Sequence, residues 1–389
     1  MKEILPKIII KAIKKTIGKG PHQLHEPFFC GNEIDYLKRS IKDNYVSYIG
    51  SYVKKFEDKI KKITGSKFVI SVVNGTEALH IAFKVLGIKK NDEVLVPALT
   101  FVGTVNPIIH CLAVPHFIDS EIKTLGINTL KLEDYLNKII IMKDKFAINK
   151  FTKRVIKAIV PVHIFGHSCN IIEIIRIAKK FNLVVIEDAA EALGSFYQNK
   201  HLGTFGHVGC ISFNGNKIIT TGGGGAVITD NANIAKKIRH LSSTARVKHK
   251  WEYIHNQVGY NLRMPSLNAA LGLAQIENLN KFIKAKKILF KKYLESFRNI
   301  KDVSLFKEPI NCKSNYWLQT LVLSKKKSFL KEKILKKSFN SKIYLRPAWK
   351  LISELKPYRF YPKMDLTGAK NIRKRVINLP SSQSLILKK

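Results

Sequence analysis

Lys217 has both the residue type and the setting for covalent chemistry. It follows Ser212-Phe213-Asn214-Gly215-Asn216 and precedes the run Gly222-Gly223-Gly224-Gly225. Small polar residues on one side and glycines on the other can hold a lysine in a defined pose while backbone and ligand approach closely. An amine placed so can condense with a carbonyl to give a Schiff base. A surface loop accounts for the same lysine equally well in a chain with 68 Lys and Arg residues. Asp188 closes the apolar run Val184-Val185-Ile186 and is preceded by Glu187. A carboxylate there can pair with a protonated ring nitrogen, or simply cap a helix. Gly75-Thr76, behind Asn74, combines backbone N–H groups, a hydroxyl and a helix N-terminus, which suits a phosphate monoester and a cap alike. Ser212 offers a second hydroxyl. Phe101 offers a flat ring that either stacks on a ligand or packs in the core. His163, after Pro161-Val162, either reaches into a site or is a satisfied buried histidine. The four glycines do not follow the G-x-x-x-x-G-K-[ST] order, which excludes a P-loop ATPase.

Each of these residues stands where a strand hands over to a loop. Phe68–Val73 reads as a buried strand, and Asn74-Gly75-Thr76-Glu77 opens a helix to about Leu86, with Asn74 as cap and Glu77 at the capping-box position. A strand at Glu93–Pro97 leads to a helix from about Thr100 to Cys111, and Val114–Asp119 is the next strand. Leu130–Lys150 reads as helical. Strand Ile156–Val162, a helix at Asn170–Phe181 and strand Leu183–Glu187 follow, then short strands at Ile211–Phe213 and Ala226–Thr229 and a helix at Asn231–Leu241. Strands alternating with such helices predict an α/β fold with a mostly parallel central sheet and helices on both faces. Ligands of such sheets collect at the carboxyl ends of the strands. From Pro265 the pattern predicts one long helix to about Phe297, then a strand at Tyr316–Ser324 and a helix near Ser328–Phe339. The expected domains are residues 1–245, including an N-terminal helical segment, and a smaller α+β domain of residues 246–389.

Composition bounds the function class. Hydrophobic residues make up 45% and charged residues 25% of 389, as in an ordinary globular protein. No apolar run nears the roughly 20 residues that span a bilayer. Leu5, Ile9, Ile13 and Ile17 share one helical face within a lysine-rich N-terminus, which reads as an amphipathic helix. The five cysteines are scattered with no C-x-x-C pair, which argues against a zinc site or a disulfide framework and favours a reducing cytoplasm. A net charge of +40 invites a nucleic-acid-binding or regulatory protein, yet the lysines spread over helix faces and loops without any nucleic-acid motif. No nucleic-acid or membrane partner is expected.

Taken in order, several stretches resemble the DegT/StrS sugar aminotransferases, enzymes of the type I aminotransferase fold that use pyridoxal 5'-phosphate. They are Asn74-Gly75-Thr76-Glu77-Ala78-Leu79, Pro97-Ala98-Leu99-Thr100-Phe101-Val102, Pro161-Val162-His163-Ile164-Phe165-Gly166, Glu187-Asp188-Ala189-Ala190-Glu191-Ala192, Ser212 through Gly225, and Gly259-Tyr260-Asn261-Leu262-Arg263-Met264. The resemblance implies that Lys217 binds the cofactor covalently and shuttles a proton, and that Asp188 pairs with the pyridinium nitrogen. It implies that Gly75, Thr76 and Ser212 hold the phosphate, that Phe101 stacks on the ring, and that Asn261 reaches the cofactor phosphate of a partner subunit in a homodimer. Glu191 stands where the family often has a glutamine near the ring hydroxyl. Tyr48, His163, Arg263 and Arg346 are candidates for gripping the substrate.

Thr221-Gly222-Gly223-Gly224-Gly225 replaces the family's usual Thr-Gly-Glu-Gly-Gly. With His25-Glu26-Pro27, Gly31-Asn32-Glu33 and Leu379-Pro380-Ser381-Ser382, it is similar to the legionaminic-acid/bacillosamine branch. Those enzymes transfer an amino group from L-glutamate to C4 of a nucleotide-linked 4-keto-6-deoxy-N-acetylhexosamine. A sister group with histidine at the lysine position dehydrates its substrate, and Lys217 argues against that chemistry here. An intact Lys217, Asp188 and Ser212 set also argues against an inactive paralogue that keeps only the fold. Other keto-sugar nucleotides, such as a GDP-perosamine precursor or a 3-keto sugar, fit the same motifs.

Overall fold

A computed structural model describes residues 4–388. Seven strands form its central sheet: β1 (Phe68–Val72), β2 (Glu93–Pro97), β3 (Val114–Ile118), β4 (Ile156–Ile159), β5 (Val184–Asp188), β6 (Val208–Ser212) and β7 (Gly225–Thr229). Their spatial order is β1-β7-β6-β5-β4-β2-β3. β6, β5, β4, β2 and β3 pair in parallel, and only β7 runs antiparallel to its neighbours β1 and β6. β2, β3, β6 and β7 are buried along their whole length, as expected of strands covered on both faces. The mostly parallel, helix-covered α/β sheet read from the sequence is the sheet observed.

The helices include α1 (Ile4–Ile17), α2 (Gly75–Val85), α3 (Val102–His110), α4 (Ser266–Glu277), α5 (Leu279–Phe297) and α6 (Lys331–Asn340). α2 starts as the sequence indicates, with Asn74 Oδ1 accepting from the Glu77 N–H at 2.8 Å. A second, antiparallel sheet joins Val303–Leu305, Gln319–Leu323, Val376–Leu379 and Arg346–Pro347.

Three expectations change. The helical stretch at 130–150 ends at Ile139, and Ile140–Lys143 pairs with Phe146–Asn149 as a hairpin around Asp144, whose φ is 54°. Isoleucine-rich segments beside such a turn favour a strand pair over continued helix. The long helix after Pro265 is two helices, α4 and α5, broken at Asn278. The expected boundary at residue 245 does not separate the packing. α1 sits on α5 and α6, with Ile9 and Ile13 fully buried among Leu289, Leu321 and Ile377 of the C-terminal half. α4, in turn, packs on Ser51–Thr64, in a core shared with Phe56, Ile211 and Phe213 of the large sheet.

Candidate active site

The carboxyl ends of β1, β5 and β6 converge on a cavity of about 630 Å³, within the usual range for small-ligand sites. Gly75, Thr76, Phe101, Asp188, Glu191, Ser212, Lys217 and Arg346 all line it.

Asp188 is held from several sides. Its backbone N–H donates to Pro161 O at 2.8 Å and its carbonyl accepts from the His163 N–H at 3.1 Å, which fixes where β5 ends. The residue is only 5% exposed, and its carboxylate accepts from Thr104 Oγ1 at 2.7 Å and from the Ala190 N–H at 3.0 Å. Thr104 in turn meets Thr100 Oγ1 at 2.7 Å. The neighbouring Glu187 faces away and works as a brace. Its two oxygens accept from the N–H groups of Gly203, Phe205 and Gly206 and from His163 Nε2 at 2.9 Å.

The lysine loop is pinned at both ends. The Phe213 N–H donates to Gly224 O at 2.8 Å, the Thr221 N–H donates to Phe213 O at 3.0 Å, and Asn268 of α4 donates to Thr221 O and Gly223 O. The glycine run therefore divides. Gly222 adopts φ +80°, while a Cβ on Gly224 or Gly225 would lie 2.1 Å from Thr221 Oγ1 or 2.5 Å from the Asn74 backbone. At Gly223 the nearest atom to a Cβ is 3.7 Å away, so packing does not require glycine there.

Lys217 Nζ lies 3.3 Å from Glu191 Oε1 and 4.1 Å from the centre of the Trp317 ring. Glu191 Oε2 accepts from the Phe165 N–H at 2.7 Å. Burial raises the pKa of the Glu191 carboxyl, against the pull of Lys217. Opposite, a Cβ on Gly75 would lie 2.9 Å from Ser212 Cβ, so only glycine leaves a cradle between the start of α2 and the end of β6. The Thr76 and Ser212 hydroxyls and the first-turn amides surround that cradle, a donor set that fits a phosphate. Phe101 stands at the N-cap position of α3, is 56% exposed and lines the cavity, so its ring is free to stack on a ligand. A flat, phosphate-bearing, protonatable ring beside a lysine fits these residues.

Four sequence candidates lie elsewhere. His163 is a correction. It is fully buried one layer behind the cavity wall, between Glu187 and Cys169, whose Sγ is 3.6 Å from Nδ1. Burial would lower its pKa, but the Cys169 sulfur and the Glu187 carboxylate outweigh burial and raise it to about 10. Arg263 is also a correction, because its guanidinium donates to Glu57 Oε1 at 3.0 Å and does not line the cavity. Tyr48 and Asn261 are exposed and outside the cavity of their own chain. Sequence reasoning missed Thr104 and Trp317. A Thr100-x-x-x-Thr104 pair at a strand end was a usable signal. Nothing local marks Trp317, which tertiary folding alone brings to Lys217.

A lysine, an oriented buried carboxylate and an anion cradle at the carboxyl edge of such a sheet fit a pyridoxal-phosphate enzyme of the type I aminotransferase fold. Residues 30–389 match the DegT/DnrJ/EryC1/StrS aminotransferase family, and the chain belongs to it. The chain is 33% identical over 364 residues, 93% of each chain, to a GDP-perosamine synthase of Escherichia coli O157:H7. It is 31% identical over 363 residues, 92% of this chain and 91% of the other, to a UDP-4-amino-4,6-dideoxy-N-acetyl-beta-L-altrosamine transaminase of Campylobacter jejuni. Helicobacter pylori PseC, an aminotransferase of pseudaminic acid biosynthesis, has the same fold, with a TM-score of 0.85, 23% identity and coverage of 94% of this chain and 95% of that one. The cofactor is pyridoxal phosphate. Among the described residues no helix is long and apolar enough to cross a membrane.

Proposed function

We propose that the protein transfers the amino group of L-glutamate to C4 of a UDP-linked 4-keto-6-deoxy-N-acetylhexosamine, for a surface glycan or a nonulosonic acid made in the cytoplasm. The observation that carries this reading is the meeting of Lys217, Asp188 and the Gly75–Ser212 cradle in one cavity. When bound, pyridoxal phosphate supplies an aldehyde that takes up the amino group and a protonated ring that delocalises carbanion charge. Thr76 and Ser212 hold its phosphate, and Phe101 covers the ring face. Asp188, oriented by Thr104 and Ala190, keeps the ring nitrogen protonated. Lys217 Nζ takes the proton from Cα of the amino donor and returns one on the reverse course, a role typically worth about 10²–10⁴-fold in rate. Arg346, exposed at the mouth of the cavity, suits an anionic substrate. Asn261, outside its own cavity, serves the partner's site in a homodimer.

A second reading takes a GDP-linked keto sugar. It is favoured by the relatives named GDP-perosamine synthase, 32–35% identical to this chain. Purified enzyme loaded with pyridoxal phosphate should lose its visible absorption with L-glutamate and recover it with the right keto-sugar nucleotide. Mass spectrometry of products from a panel of UDP-, GDP- and TDP-linked keto sugars decides the substrate. An amine product from the GDP-linked sugar alone contradicts the first reading, and no response to glutamate contradicts amino transfer.

A further inference from the structure

We propose that Trp317 is a positioning residue that holds the amine of Lys217 whenever that amine is not covalently engaged. The proposal rests on Lys217 being the lysine that carries the cofactor. A lysine side chain has four rotatable bonds and about 2 kcal/mol of rotamer entropy. Once released, it must stay beside the reacting carbon to move a proton. In the structure its ammonium lies over the Trp317 ring, 4.1 Å from the centre, with Glu191 Oε1 at 3.3 Å. A cation over an indole face is attracted by the ring quadrupole, more so when partly desolvated, and the Lys217 side chain is only 13% exposed. The same indole acts on the backbone too, since its Nε1–H donates to Asn216 O at 2.7 Å, one residue before the lysine. One side chain thus fixes both the stem and the tip of Lys217.

Trp317 is itself firmly fixed. Its backbone N–H donates to Asn315 Oδ1 at 2.8 Å, and its carbonyl accepts from the fully buried Lys286 Nζ at 3.0 Å. The Asn315 amide also donates to Glu191 O and Leu193 O, both at 2.9 Å. A single asparagine therefore sets both neighbours of the lysine amine, the indole and the Glu191 carboxylate, in fixed register. Lys286 has two carbonyl partners, Trp317 O and Ser381 O, which makes it a clamp on the backbone behind the ring.

Two variants separate the contributions. Trp317→Phe keeps an aromatic face over Lys217 and removes the N–H donor, whereas Trp317→Leu removes both. The expected outcome is a fall of about fivefold in the rate of the glutamate half-reaction for Trp317→Phe, the size of one neutral hydrogen bond. For Trp317→Leu a further fall of about tenfold is expected from the lost ring contact. KM for glutamate should stay within about twofold, because the residue acts on the lysine. A second readout needs no cofactor: competitive amine labelling of the folded apoprotein, followed by mass spectrometry at Lys217 relative to exposed lysines. Labelling of Lys217 should rise severalfold in Trp317→Leu and stay near wild type in Trp317→Phe. Unchanged rate and unchanged labelling in a folded Trp317→Leu protein would overturn the proposal. If Trp317→Leu does not fold, Trp317→Phe decides, and a wild-type rate there overturns it. Failure of the underlying assignment looks different: Lys217→Ala would then still bind pyridoxal phosphate covalently.

Discussion

Replacing Thr104 with valine tests whether the carboxylate of Asp188 is held by the side chains around it. The Thr104 hydroxyl has one proton, and it goes to Asp188 Oδ2 at 2.7 Å. The Thr100 hydroxyl therefore donates to Thr104, also at 2.7 Å. Thr104 and Thr100 are 2% and 1% exposed, so water does not replace either contact. Valine has nearly the same shape, which keeps a packing void out of the comparison. The substitution removes one hydrogen bond to a charged group, about 1.5–3 kcal/mol, and strands the Thr100 proton at about 1 kcal/mol more. The expected loss is about 2.5–4 kcal/mol, read as a fall of roughly 3–5 °C in the melting temperature of an apoprotein of 389 residues. Of these two protein donors Asp188 would keep the Ala190 N–H at 3.0 Å alone and could rotate, so the glutamate half-reaction should slow about tenfold. Thr104→Ser should restore both. Wild-type melting and a wild-type rate in Thr104→Val would refute the reasoning.

Gly75→Ala places a methyl 2.9 Å from Ser212 Cβ and should weaken pyridoxal phosphate binding about tenfold or more, measured by equilibrium dialysis, while the free aldehyde lacking phosphate binds as before. Glu191→Gln should raise apoprotein stability near neutral pH, because burial raises the carboxyl pKa and folding disfavours its charged form there. Below the ordinary carboxyl value of 4.5 both states are protonated, so the advantage should vanish in melting curves taken on acidification. His163 works in the opposite sense. With its pKa raised from 6.5 to about 10, it contributes stability that is complete below 6.5 and lost as pH climbs through about 10. Cys169→Ala should remove the larger part of that dependence and Glu187→Gln a smaller part, and Glu187→Gln should also cost about 3 kcal/mol because an NH₂ group then faces backbone N–H donors.

The residues legible in the sequence were those whose roles follow from local chain geometry. Asn74 capping α2, Asp188 closing β5 and Ser212 closing β6 each sit at a strand end, and a parallel sheet brings strand ends together whatever the loops between them do. Lys217 followed because its loop is bracketed by β6 and β7. Roles set by partners distant in sequence were not legible. Arg263 looks available for a substrate in the sequence, but Glu57 of the helix Ser51–Thr64 engages it. His163 looked ready to reach a ligand until the backbone at β5 turned it toward Glu187. Trp317 lies a hundred residues beyond Lys217 and carries no local pattern, so only the packing of the second sheet reveals it. The placement of α1 was hidden for the same reason: its apolar stripe announces burial, not the surface that buries it.

The most direct test of the central claim is reduction of the pyridoxal-phosphate-loaded enzyme with borohydride, followed by peptide mass mapping. The structure predicts one stable pyridoxyl phosphate adduct, on Lys217, absent when the enzyme has first been converted with L-glutamate. An adduct on another lysine, or none on a protein that binds the cofactor, would contradict it.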